Sequence, residues 1–150
     1  MENHYPVSNY KMEIGWGDCD AAGITYYAQY FDWFCNARFH LLKEHGIKYT
    51  TWFLRNHISL VVLDTGCRYK NLLYPEESIT IKTTLVKLTR TRAKFTYNLF
   101  KDNKILAASG FTAHTYVNQD GKVCNLEKCS PELWEKLSSV FLNNKRFISE

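Results

Sequence analysis

The amino-acid sequence predicts an α+β fold in which an antiparallel sheet wraps around a long central helix. Three observations lead there. The segment from Tyr26 to Leu42 is apolar or aromatic at Tyr27, Ala28, Tyr30, Phe31, Trp33, Phe34, Cys35, Ala37, Phe39 and Leu41. At 100° per residue its polar positions Gln29, Asp32, Asn36 and His40, with Lys43 and Glu44 beyond, fall in one polar stripe. A helix apolar around most of its circumference is buried on several sides. From Ile58 onward the pattern changes to strand-like alternation, whereas a single strand precedes the helix. Such an order calls for a sheet that curls around the helix, with a second subunit as additional cover.

Each element follows from its own residues. Tyr10, Met12, Ile14 and Trp16 alternate with Lys11, Glu13, Gly15 and Gly17, the signature of a half-buried strand. The helix is expected to stop at His45-Gly46, where glycine supplies the terminator. Residues 48–56 fit a short helix or a loop. Ile58 to Lys70 is rich in strand formers, with Gly66 as a candidate bulge, and Leu73-Tyr74-Pro75-Glu76-Glu77 reads as a turn. Ile79 to Leu85 and Ala93 to Leu99 alternate cleanly. Lys101-Asp102-Asn103-Lys104 then turns into a strand from Ile105 to Val117, and Asp120-Gly121 marks another turn. Ser130-Pro131-Glu132 starts a terminal helix running to about Phe141, with serine as cap and proline in the first turn.

Bulk properties narrow the classes. The 150 residues, 45% hydrophobic and 15% aromatic, fit one globular domain with its own core. No apolar run reaches the roughly 20 residues of a membrane span, and no signal-peptide pattern opens the chain, so a cytoplasmic protein is expected. The five cysteines, at 19, 35, 67, 124 and 129, form no C-x-x-C pair. Reduced, mostly buried thiols therefore fit better than disulfides or a structural zinc. A net charge of +4 suits an anionic ligand but is too small to indicate nucleic acid.

The chemistry concentrates at Gly17-Asp18-Cys19-Asp20-Ala21-Ala22-Gly23, directly ahead of the helix. A helix start presents unpaired N–H groups and the positive end of its dipole. A carboxylate there can act as nucleophile or base while the amides polarise a carbonyl, as in an oxyanion hole. The same residues admit a plainer role in which Asp18 or Asp20 only caps the helix. Arg38 lies opposite the polar stripe and needs a buried partner or an exit to water.

Trp16-Gly17-Asp18-Cys19-Asp20-Ala21-Ala22-Gly23-Ile24-Thr25-Tyr26-Tyr27, followed by Tyr30, Phe34 and Arg38, resembles the signature of the 4-hydroxybenzoyl-CoA thioesterase family. The likeness extends in element order over roughly residues 8–130 and implies a hotdog fold, a sheet wrapped around a central helix. It implies an acyl-CoA thioesterase with Asp20 as the catalytic carboxylate, either attacking the thioester or activating water. The N–H of Tyr27 would polarise the thioester oxygen, Gly23 would give close backbone access, and Tyr30 and Phe34 would meet the substrate. Arg90 and Arg92, in the basic group with Lys87 and Lys94, would bind the coenzyme A phosphates; a solvated hairpin tip is the alternative. Cys35 stands where the hydroxybenzoyl branch carries an acid, so the acyl group is left open between aromatic and short or medium aliphatic. The resemblance implies no metal or redox cofactor, since coenzyme A is part of the substrate, and a homodimer or homotetramer. Two alternatives remain: an acyl carrier protein as thioester donor, and a non-catalytic acyl-binding module.

Competing sites are weaker. Asp18 suits a structural role, capping or pairing with Arg38. Carboxylates flanking Cys19 oppose thiolate formation, Ser109-Gly110 lacks the nucleophile elbow, and His57 and His114 read as hydrogen-bonded strand residues. Asp64 is the alternative acid. Cys124 and Cys129 have no histidine pair to complete a metal site.

Overall fold

The computed structural model describes residues 5–102 and 104–149. Strand β1 (Val7–Glu13) precedes the long helix α1 (Gln29–Glu44) and the single turn α2 (Tyr49–Trp52). Strands β2 (Ser59–Tyr69), β3 (Ser78–Leu88), β4 (Arg92–Lys101) and β5 (Ile105–Val117) follow, then α3 (Leu126–Cys129) and α4 (Pro131–Ser149). The five strands form one sheet in the order β1-β3-β4-β5-β2, and every neighbouring pair is antiparallel. β2 therefore ends the sheet on one side, with Val62 and Leu63 exposed.

Helix α1 lies on the inner face of this sheet, as its apolar periodicity requires. Tyr30, Trp33, Phe34, Ala37, Arg38, Leu41 and Leu42 are buried, while Asp32, Asn36, Lys43 and Glu44 face water. Phe34 stacks on Tyr97 of β4 at 4.3 Å between ring centroids. Burying a side chain of that kind stabilises by roughly 1.5–3 kcal/mol. Gly110 of β5 lies directly beneath the ring: a Cβ there would stand 2.6 Å from Phe34 Cε2 and 2.7 Å from the Gly66 carbonyl oxygen. At the other end the Ser8 hydroxyl donates to Glu44, tying β1 to the helix.

A polar seam runs through this otherwise apolar core. The Thr112 hydroxyl lies 2.7 Å from Tyr97 Oη and 2.7 Å from His114 Nε2, and the Arg38 side chain sits beside Tyr97. Burial, reinforced by the Arg38 charge, pushes His114 down to about 4, so the imidazole is neutral. Arg38 is the residue that needed a buried partner; among the described residues no carboxylate pairs with it, and its Nε has no hydrogen-bond partner.

Several expectations are corrected. β1 ends at Glu13 rather than at Trp16, because the Asp18 carboxylate accepts the Gly15 N–H at 2.9 Å and folds residues 15–18 into a turn. That leaves Trp16 exposed, and Asp18 caps this turn instead of pairing with Arg38. The bulge in β2 falls between Val62 and Asp64, while Gly66 pairs in register with Phe111. Residues 48–56 form α2 and a 3₁₀ turn, Leu54–Asn56. α4 runs past Phe141 to Ser149, and Asn103 of the expected β4–β5 turn lies outside the described residues. All five cysteines are free thiols, but only Cys124 is buried; Cys19, Cys35 and Cys67 are half-buried and Cys129 is exposed. Among the described residues no helix is long and apolar enough to cross a membrane.

Candidate active site at the start of the central helix

The turn ahead of α1 is closed by its own backbone. Cys19 bridges to Thr25, the Asp20 N–H donates to the Ile24 carbonyl at 2.9 Å, and the Gly23 N–H donates to the Asp20 carbonyl at 3.0 Å. Gly23 adopts a φ of +76° with nothing within 4 Å of a would-be Cβ, so the turn geometry demands glycine there. The Asp20 carboxylate accepts the Ala22 N–H at 2.8 Å through one oxygen and is exposed to solvent. It therefore presents an ionisable oxygen on a fixed turn.

The return arm leads into the helix. Both the N–H and the hydroxyl of Thr25 donate to the Leu73 carbonyl, at 2.9 and 3.2 Å. The Tyr26 N–H donates to the Asp18 carbonyl at 2.9 Å, and Gln29 and Phe31 donate back to Tyr26 and Ala28. Among the described residues, nothing accepts from the N–H groups of Tyr27 and Ala28. These are the free donors expected at a helix start, at the positive end of the α1 dipole.

A cleft of about 250 Å³ opens beside them, lined by Ile24, Thr25, Tyr27, Tyr30, Tyr69, Lys70, Asn71 and Leu72. Burial, followed by nearby Cys67, Tyr69 and Cys19, pushes Tyr30 up to about 12. Burial, followed by the Cys67 thiol, raises Tyr69 to about 12. Both phenols keep their protons at neutral pH. The structure thus gathers Tyr27 and Tyr30 at one cleft, with Asp20 and Gly23 on the adjoining turn.

The remaining expected residues lie elsewhere. Phe34 is fully buried against Tyr97 and does not line the cleft beside Tyr27, because the stripe it occupies is the one that faces the sheet. Arg90 sits on the β3–β4 turn and Arg92 opens β4. β3 starts next to the end of β1 and spans 11 residues, so these cations stand about 30 Å from the Asp20 end. Arg90 Nε pairs with Glu127 at 3.1 Å, and Arg92 donates to the Thr91 carbonyl and the Thr115 hydroxyl. Within one chain the sheet does not bring them to Asp20. Asp64 is exposed on the free edge of β2, and His57 is exposed in a left-handed turn with a φ of 57°. Tyr69 is the site residue that sequence reasoning missed. Alternation along β2 puts Cys67 and Tyr69 on one face, but only the folded chain brings that face to Tyr30.

The curled antiparallel sheet around α1, with a carboxylate turn at the helix start, defines a hotdog fold of the thioesterase type. The profile of the thioesterase-like superfamily matches residues 14–137, and the chain belongs to that family. It is similar to the 1,4-dihydroxy-2-naphthoyl-CoA hydrolase of Crocosphaera subtropica, with 27% identity over 73% of this chain and 81% of that protein. Among solved structures it superimposes on the DHNA-CoA thioesterase of Staphylococcus aureus with a TM-score of 0.83 and 27% identity, covering 89% of this chain and 90% of the other. An Aquifex aeolicus protein gives a TM-score of 0.76 at 28% identity, covering 84% and 98%.

Proposed function

We propose that the protein is an acyl-CoA thioesterase that hydrolyses a thioester to the free acid and coenzyme A. The single observation carrying this is the exposed Asp20 carboxylate on a locked turn directly ahead of the unpaired Tyr27 and Ala28 amides. The thioester oxygen is held by the Tyr27 N–H, where the helix dipole stabilises the charge that develops on it. Asp20 then works in one of two ways. It attacks the carbonyl carbon, expelling the coenzyme A thiolate and leaving an anhydride for water to open, or it takes a proton from the water that attacks. Label in the Asp20 carboxylate after a single turnover in ¹⁸O-water marks the anhydride route, with water opening the anhydride at the Asp20 carbonyl. Both routes use groups of this chain, substrate and water.

The CoA thioesters named for the Crocosphaera relative support a CoA substrate. The cleft, walled by Tyr27, Tyr30 and Tyr69, suits a compact acyl group better than a long fatty chain. Cys35 in place of an acid weighs against 4-hydroxybenzoyl itself.

A homodimer fits the placement of the cations. A second copy paired antiparallel along the free edge of β2 is turned end for end. Its Arg90 and Arg92 then arrive at the end of the sheet where this chain holds Asp20, available to coenzyme A phosphates.

The test is thiol release from acetyl-, butanoyl-, decanoyl- and benzoyl-CoA and from an acyl carrier protein thioester. We expect turnover of at least one CoA thioester, and a loss of about 100-fold or more in kcat for Asp20→Asn with the fold intact by circular dichroism. Wild-type turnover in that variant rejects the assignment. Exclusive cleavage of the carrier thioester moves the substrate to a protein partner.

A further inference from the structure

We infer that Tyr69 is a positioning residue: its hydroxyl, reaching from the end of β2, fixes the Tyr27–Ala28 peptide at the start of α1 and, across one Cα, the Tyr27 N–H proposed to hold the thioester oxygen. The role rests on the function proposed above for Asp20 and Tyr27.

The start of α1 lacks the usual internal fastening. Ala28 occupies the N-cap position and has no side chain that can accept a backbone N–H, whereas Ser, Thr, Asp or Asn commonly does so. The first-turn bonds run from Gln29 to Tyr26 and from Phe31 to Ala28, at 2.9 and 3.2 Å. They pass over the Tyr27 carbonyl. Tyr69 takes that acceptor, its Oη donating to the Tyr27 oxygen at 2.6 Å.

Tyr69 is itself firmly placed. The next two residues, Lys70 and Asn71, both donate their N–H groups to the Ala107 carbonyl, at 2.8 and 3.1 Å, and the Asn71 side chain donates to Leu106 at 2.8 Å. The Tyr69 ring meets Tyr30 edge-on at 4.8 Å. The hydroxyl thus transmits the position of the sheet to a peptide that the helix leaves unsecured. A hydrogen bond on the carbonyl of a peptide also strengthens the N–H of the same unit as a donor. The Ala28 N–H belongs to that unit, and the Tyr27 N–H is one Cα away.

The sequence supplies an unusually direct probe. Tyr27–Ala28 is the only Tyr–Ala step in the chain, so carbonyl-¹³C tyrosine with ¹⁵N alanine gives a single carbonyl–amide correlation. In Tyr69→Phe, which keeps the ring against Tyr30, we expect the Tyr27 carbonyl resonance to move upfield as its hydrogen bond is lost. With the acyl-CoA cleaved fastest in the panel above, we expect kcat to fall about tenfold with KM within about twofold of wild type. An unmoved carbonyl resonance overturns the contact. A raised KM at unchanged kcat also overturns the role, making Tyr69 a substrate contact. Wild-type kinetics in Tyr69→Phe, beside an inactive Asp20→Asn, remove the positioning role and leave the thioesterase assignment standing. Wild-type turnover in both variants removes both.

Discussion

Adding one methyl group at Gly110 tests the packing on which the start of α1 depends. A Cβ there would stand 2.6 Å from Phe34 Cε2, 2.9 Å from its Cζ and 2.7 Å from the Gly66 carbonyl oxygen, where 3.4 Å is the inner limit of ordinary contact. The ring's stacking on Tyr97 at 4.3 Å limits how far it can retreat. The Gly66 carbonyl belongs to the β2–β5 ladder and moves only with it. Overpacking a core costs typically 1–3 kcal/mol, and a backbone atom among the clashing groups puts Gly110→Ala at about 3 kcal/mol. For a chain of this length that lowers Tm by about 6–12 °C. Differential scanning calorimetry reads the shift, and Gly17→Ala, with nothing within 4 Å of the added carbon, is the control. Trimming the ring in Gly110→Ala/Phe34→Leu recovers part of the loss, so the pair couples by more than about 0.5 kcal/mol. A Gly110→Ala protein melting within about 2 °C of wild type refutes the packing argument.

His114 sets a pH dependence of stability. Its folded-state value of about 4 lies below the ordinary 6.5, so the unfolded chain binds the extra proton between those limits. Stability contributed by the neutral imidazole is complete above pH 6.5 and is lost as pH falls towards 4, by up to about 3 kcal/mol. Urea titrations from pH 7 to 4 check this slope against His114→Gln, where it flattens. Leu63→Lys, on the exposed edge of β2, is expected to convert the proposed dimer to monomer by light scattering and to lower kcat/KM; an unchanged mass rejects pairing through that edge.

The order of elements was legible because two periodicities dominate the sequence. The 3.6-residue stripe from Gln29 to Glu44 gives α1, and alternation gives β5 from Ile105 to Val117 at its observed limits. Alternation misleads at Trp16, where Gly-Trp-Gly continues the pattern on paper but the Asp18 carboxylate captures the Gly15 N–H. The carboxylate turn is equally visible, since Asp20 to Gly23 lie only a few residues ahead of the helix. Tyr69 is not, because its contact with Tyr27 spans 42 positions and depends on how β2 lies over the helix. The distance from Arg90 and Arg92 to Asp20 was hidden for a related reason: a basic turn is easily recognised, but its end of the sheet follows from strand direction.

Hydrophobic alternation forbids a one-residue slip between strands, which would turn every side chain to the opposite face, but it tolerates a slip of two. The inner face of β4 and β5 removes that tolerance. Tyr97 pairs with Gly110, the position with room for the Phe34 ring, and a two-residue shift would put Ala108 or Thr112 there instead. The same shift would part the Tyr97 hydroxyl from Thr112 or press the two into direct opposition. A missing side chain and a few buried hydroxyls together act as a key that admits one alignment, so the sheet reaches the Asp20 end of the molecule with its strands in step.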